Sequence, residues 1–145
     1  MTPDLFRIVY LSRNAIGPAS SEAELSSILA AARRNNARQG VTGALLYNAG
    51  VFAQALEGTF EAVQSIFERI QVDHRHCDVV VLEAQPTTSR MFGEWAMAHA
   101  KPADPAGANA FLSRALASAG GGGDNVLMLL DRVVRAEPVL YAVHA

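Results

Sequence analysis

Tyr10 and Gln54 are polar side chains set where strand alternation calls for apolar ones. Tyr10 follows Phe6 and Ile8 at every second position, and Gln54 stands between Phe52 and Leu56 in the same way. A buried amide without partners costs roughly 1–3 kcal/mol, so these residues must bond to each other or to a ligand. A phenol is neutral well above pH 7 and can give up a proton once it is oxidised. Glutamine carries a donor and an acceptor on one group, so it can relay a proton and reverse its hydrogen-bond pattern. The two could satisfy each other, or both could address the polar edge of a bound molecule, and the second reading is preferred. Asn35 and Asn36 near the end of one helix, and Ile66, Arg69 and Asp73 at i, i+3 and i+7 of another, extend the constellation. Taken singly, an asparagine at a helix end is an ordinary cap and an Arg–Asp pair four apart an ordinary surface ion pair. Together they rim a slot suited to a flat aromatic ligand with donors and acceptors along one edge.

The elements that must place these residues are legible in the hydrophobic pattern. Leu5–Ser12 reads as a strand, and Ser21-Glu22-Ala23-Glu24 has the form of a capping box opening a helix with Leu25, Ile28, Leu29 and Ala32 on one face. The polar run from Asn35 closes that helix, with Gly40 suited to a left-handed turn. Val41–Tyr47 and Val51–Gly58 form a hairpin through Asn48-Ala49-Gly50. Thr59 caps a second helix that buries Val63, Ile66, Phe67 and Ile70. Val79–Leu82 is a fourth strand, and Trp95-Ala96-Met97 is assigned to a fifth. The order predicts an α+β fold: a ferredoxin-like βαββαββ sheet with two helices on the face that bears Tyr10 and Gln54. The opposite face, with Leu5, Val9 and Leu11, is too apolar for water. A C-terminal helical pair is expected to cover it, one helix around Phe111, Leu112, Ala115 and Leu116, the other around Val126, Leu127, Leu130, Val133 and Val134, joined by Gly120–Gly123. Residues 1–103 are therefore expected to form the main domain, and residues 104–145 a C-terminal helical extension packed on the sheet.

Composition narrows the function classes. The chain has 145 residues, 50% hydrophobic and 18% charged, which suits one globular domain. No run approaches the roughly 20 apolar residues of a membrane span, and the N-terminus has no secretory pattern. The expectation is a cytoplasmic protein that binds neither membrane nor nucleic acid. The basic cluster Arg33, Arg34 and Arg38 suits the dipole at a helix C-terminus. Cys77 is the single cysteine, and His74 and His76 lack further ligands, so no metal site is expected.

Residues 5–100 resemble a BLUF domain, the blue-light sensor using flavin. The resemblance lies in Ile8-Val9-Tyr10-Leu11-Ser12-Arg13, the stretch Arg34–Tyr47, Phe52-Ala53-Gln54-Ala55-Leu56-Glu57-Gly58, Asp73-His74-Arg75-His76 and Arg90-Met91-Phe92-Gly93-Glu94-Trp95-Ala96-Met97. Five motifs in order make it specific, and the remainder resembles the helical extension of short, single-domain members. The resemblance implies FAD as cofactor, with FMN the other flavin to consider, its ring between Ile28 and Ile66. Asn35 and Asn36 would meet its N3/C4 edge, and Arg69 and Asp73 its pyrimidine edge, with His76 close by. Gln54 would bridge Tyr10 and the N5/C4 region, and Trp95 and Met97 match residues linked to signal output. Ala53 and Ala55 depart from the larger apolar residues common beside that glutamine.

The implied function is a photoreceptor that signals by light-driven rearrangement of the Tyr10–Gln54–flavin hydrogen bonds. Output would pass through the C-terminal helices to a separate signalling protein or a homo-oligomer. No catalytic domain is expected in the chain. The competing reading is a cofactor-free interaction module on the same fold. A small hydrolase is disfavoured, because no Ser/His/Asp set or Cys–His pair is placed for one.

Overall fold

A computed structural model describes residues 5–14, 21–48, 50–73, 76–93, 95–100, 106–107, 110, 112, 114 and 123–136. The elements are β1 (Leu5–Asn14), α1 (Ser21–Gln39), β2 (Thr42–Asn48), β3 (Val51–Gly58), α2 (Phe60–Val72), β4 (His76–Thr87), β5 (Ala98–Ala100) and α3 (Gly123–Ala136). They form one sheet in the order β4-β1-β3-β2-β5. β1 is antiparallel to both β3 and β4, β2 and β3 form the expected hairpin, and β5 runs parallel to β2. This is the expected α+β, ferredoxin-like arrangement with an added edge strand.

Period-two alternation sorts the sheet into two apolar layers. Ile8, Tyr10, Leu45, Phe52 and Leu56 pack with Ile28, Leu29, Val63 and Ile66 of α1 and α2. Val9, Leu11, Ala44, Leu46, Ala53 and Ala55 pack with Val126, Leu127, Leu130 and Val134 of α3. The alanines leave room for the helix to approach the sheet closely. Ala106, Gly107, Ala110, Leu112 and Arg114 have helical backbone, and Leu112 is buried in the α3 layer. Phe111, Ala115, Leu116, the glycines at 120–122 and the capping-box side chains of Ser21 and Glu24 lie outside the described residues.

The ends of the helices on the site face are built as their residue types require. α1 closes with Gly40 at φ +69°, where Val41 N–H reaches the Asn36 carbonyl (2.9 Å) and Gly40 N–H the Ala37 carbonyl (3.4 Å). That double bond pattern is a Schellman motif, and it needs a residue without a Cβ penalty at the left-handed position. Thr59 caps α2 by accepting from Ala62 N–H at 3.2 Å. α1 therefore runs past Asn35 and Asn36 instead of ending at them.

The fifth strand requires a correction. β5 is Ala98–Ala100, and Trp95-Ala96-Met97 precedes it as an irregular segment. The carbonyls of these three residues are drawn to three separate donors: Gly43 N–H takes Trp95 O (3.2 Å), Asn36 Nδ2 takes Ala96 O (2.7 Å) and Arg33 Nε takes Met97 O (3.1 Å). With the Ala96 and Met97 carbonyls engaged by side chains of α1, the run cannot continue a regular ladder.

Candidate functional site

Tyr10 and Gln54 are direct cross-strand partners in the β1–β3 register. The Tyr10 hydroxyl donates to Gln54 Oε1, as neighbouring side chains on one face of an antiparallel pair can. Phe67 of α2 meets the Tyr10 ring edge-on, with centroids 5.1 Å apart. Tyr10 is fully buried, and loss of hydration pushes its phenol well above its usual pKa. The other end of the Gln54 amide, Nε2, faces the Met97 sulfur at 3.8 Å. A thioether is a weak acceptor, so half of the amide keeps most of its donor capacity for a stronger partner.

Above Gln54 lies a cleft of about 130 Å³ between α1 and α2. Ile28, Ala31, Ala32 and Asn35 line one wall, Ile66, Arg69, Ile70 and Asp73 the other, with Asn36 and Gln54 also contributing. Both helices use the spacing i, i+3, i+4, i+7, which is one helix face. Each wall thus begins with an isoleucine and ends in polar groups. Alanine at positions 31 and 32 keeps the α1 wall low, so a flat body can enter. Asp73 is the C-cap residue of α2, its N–H bonded to Ile70 O at 3.1 Å. Of the residues expected at the site, Ile28, Asn35, Asn36, Gln54, Ile66, Arg69 and Asp73 come together here, and Tyr10 stands directly behind Gln54. The His76 side chain lies outside the described residues.

Asn36 bears most directly on occupancy. Its side chain has no exposure to solvent, its Nδ2 holds Ala96 O, and among the described residues its Oδ1 has no hydrogen-bond partner. A buried amide oxygen left without a donor is costly. The deficit is met when an N–H group of a ligand enters the cleft. A flavin fits this requirement: its ring is flat and apolar on both faces, and its N3–H is a donor flanked by carbonyl acceptors.

Trp95 and Met97, two residues apart, lie in opposite layers. Met97 packs with Tyr10 and Ile28 on the cleft side, and Trp95 with the α3 layer. A buried polar knot at the base of this segment has no counterpart in the sequence reading. Glu57, without solvent exposure, accepts at Oε2 from Arg7 Nη2 (3.0 Å), Arg7 Nε (3.1 Å) and Met91 N–H (2.6 Å). At Oε1 it accepts from Phe92 N–H (2.8 Å) and Thr42 Oγ1 (3.3 Å). Arg90 Nη1 donates to Thr42 Oγ1 (2.9 Å) and to the Glu57 carbonyl (3.1 Å). A charged residue at the end of an alternating strand gives a sequence-level hint of a partner, but not which loop supplies it.

Fold and site together define an α+β domain with a cleft between two helices over a hydrogen-bonded phenol–amide pair. The family model described as "Sensors of blue-light using FAD" matches residues 5–98. The chain belongs to this BLUF family of flavin-based blue-light sensors. The photoactivated adenylate cyclase subunit beta of Euglena gracilis is 39% identical over 97 residues, covering 66% of this chain and 11% of that protein. The chain thus spans about a tenth of the length of the curated relatives it matches. Among solved structures, the dark state of BlrB, a BLUF protein, is similar over 94% of this chain and 98% of its own, with a TM-score of 0.75 and 30% identity. The photo-activated state of BlsA is similar over 92% and 96%, with a TM-score of 0.75 and 27% identity.

Proposed function

We propose that the cleft between α1 and α2 holds the ring of FAD, in preference to FMN, with Ile28 and Ile66 against its two faces. The unpartnered Oδ1 of Asn36 carries this reading, because it asks for an N–H donor at the place where the N3 edge would lie. Asn35 shares that edge, and Arg69, Asp73 and His76 serve the pyrimidine end. A cofactor-free interaction module would leave Asn36 Oδ1 buried at a cost and Gln54 Nε2 on a thioether. The family description supports FAD as the natural flavin.

Bound flavin supplies the blue-light chromophore and, on excitation, an electron acceptor. The protein's part is to hold a neutral phenol beside it and to give that phenol a route for its proton. Burial keeps Tyr10 protonated across the physiological range and excludes water that would compete for the Gln54 bonds. Tyr10 Oη donates to Gln54 Oε1, so the first proton movement is along a bond already made. Gln54 then exchanges which end of its amide faces Tyr10 and which faces the cleft and Met97. Trp95 and Met97 would feel that exchange through the segment they share. The signal leaves through the C-terminal helices to a separate signalling protein or a second copy of the chain. The domain acts as a sensor in the cytoplasm, with no catalysis of its own.

Purified protein is expected to be yellow, with a flavin spectrum that shifts reversibly to the red under blue light. The Tyr10→Phe variant is expected to keep the flavin and lose the shifted state. A colourless protein that takes up no added FAD would refute the flavin site, and a normal photocycle in Tyr10→Phe would refute the role of the phenol.

A further inference from the structure

Arg135 lies in the last turn of α3, and its guanidinium meets Asp131, Met91 and Trp95. Nε donates to Asp131 Oδ1 (3.0 Å), Nη2 donates to the Met91 carbonyl (2.8 Å), and Cζ sits 5.2 Å from the centre of the Trp95 ring. Asp131, one turn earlier on the same helix, holds the fork in place. Met91 is therefore gripped from two sides, its N–H by Glu57 and its carbonyl by Arg135. Six residues later the same stretch delivers the Met97 sulfur to Gln54. Residues 91–93, which lie against α3, and residues 95–97, which reach the cleft, are together called the strap.

We propose that Arg135 is the positioning residue that couples α3 to the light-sensing site. It registers α3 against the carbonyl of Met91 and the ring of Trp95, so a shift of the strap breaks both contacts and loosens the end of α3. The light step of this inference rests on the photoreceptor reading above. The size of the contacts suits a switch. The Arg135 side chain is 47% exposed, and a hydrogen bond or cation–π contact at such a site shifts an equilibrium about two- to tenfold. A rearranged hydrogen bond at Gln54 is of the same order. The apolar contacts of Leu127, Leu130 and Val134 keep the helix docked without Arg135. Position along the strap is not itself proof of coupling, so the test must measure coupling.

Hydrogen exchange of the α3 amides in the flavin-loaded full chain, dark and lit, provides that measurement. In the wild type, illumination is expected to speed exchange in the last turns of α3 about three- to tenfold. Arg135→Ala should exchange at the lit rate already in the dark and show no further light step, with its flavin red shift unchanged. Trp95 is the chain's single tryptophan, so its emission supplies a second readout. Arg135→Lys, which keeps a cation but not the fork, should retain a reduced light-dependent change in that emission, which also decides the matter if the alanine variant does not fold. A full light step in α3 of Arg135→Ala, or none in the wild type despite a normal red shift, overturns the coupling and leaves the receptor reading intact. No red shift in the wild type overturns that reading and the light step with it.

Discussion

Glu57 and Tyr10 are both buried, and physics treats them differently. The Glu57 carboxylate is charged, paired with Arg7 and saturated by the Met91 and Phe92 amides. Removing it leaves a guanidinium buried without its counter-charge, which typically costs about 3–5 kcal/mol. Glu57→Ala should therefore lose about that much stability in urea titration, and flavin retention should weaken as the strap loses its anchor. Tyr10 is neutral, and its raised pKa makes a statement about pH. Its folded pKa lies above the unfolded value of about 10, so its contribution is intact below that pH and is lost as pH rises beyond it. Between about pH 10 and 11 the wild type should lose stability more steeply than Tyr10→Phe, by up to about 1.4 kcal/mol per pH unit. Urea midpoints across that range decide it; parallel curves would mean that Tyr10 does not hold its proton on folding.

At the scale of elements, α1 bonds to the cleft and to the strap through neighbouring residues. The Schellman turn at Gly40 ends the helix so that Asn36 is buried over Ala96, and Arg33 one turn back takes the Met97 carbonyl. Burial also lowers the Arg33 pKa from its ordinary value. Asn36→Ala removes the proposed acceptor for the ligand together with the donor to Ala96 O. It should weaken flavin binding at least about tenfold, the equivalent of one buried hydrogen bond to the ligand, measured by fluorescence titration with FAD. The β2–β3 hairpin carries a steric condition at Gly43, where a Cβ would collide with the backbone carbonyl of Ala55. Neither strand can yield, because Gly43 N–H also holds Trp95 O. Gly43→Ala should cost about 2 kcal/mol or more in urea titration, and should disturb the Trp95 emission.

For the whole molecule, the sheet is the shared wall of two cores. α1 and α2 enclose the relay on one face, and α3 covers Val9, Leu11, Leu46, Ala53 and Ala55 on the other. Truncation after residue 104 would uncover that second face. The shortened chain is expected to keep the flavin and its red shift, since the cleft is built without α3, and to self-associate through the bared apolar sheet. Sedimentation velocity checks this; a monomeric, soluble truncation would show that the face tolerates water. Among the described residues no helix is long and apolar enough to cross a membrane.

Alternation in β1 and β3, the helical spacing of the two isoleucine walls and the glycine after α1 were legible by themselves, because they report local geometry. They sufficed for the α+β order and the face that bears Tyr10 and Gln54. The path of residues 95–97 was not legible. Its carbonyls are claimed by Gly43, Asn36 and Arg33, residues more than fifty positions away, and no local period encodes such partners. For the same reason only the tertiary structure could set Met97 beside Gln54, give Trp95 to α3, and bring Glu57 and Arg135 to opposite sides of Met91. The placing of Tyr10 and Gln54 on one face is written in the periodicity of the strands; what the pair is connected to is decided by long-range hydrogen bonds.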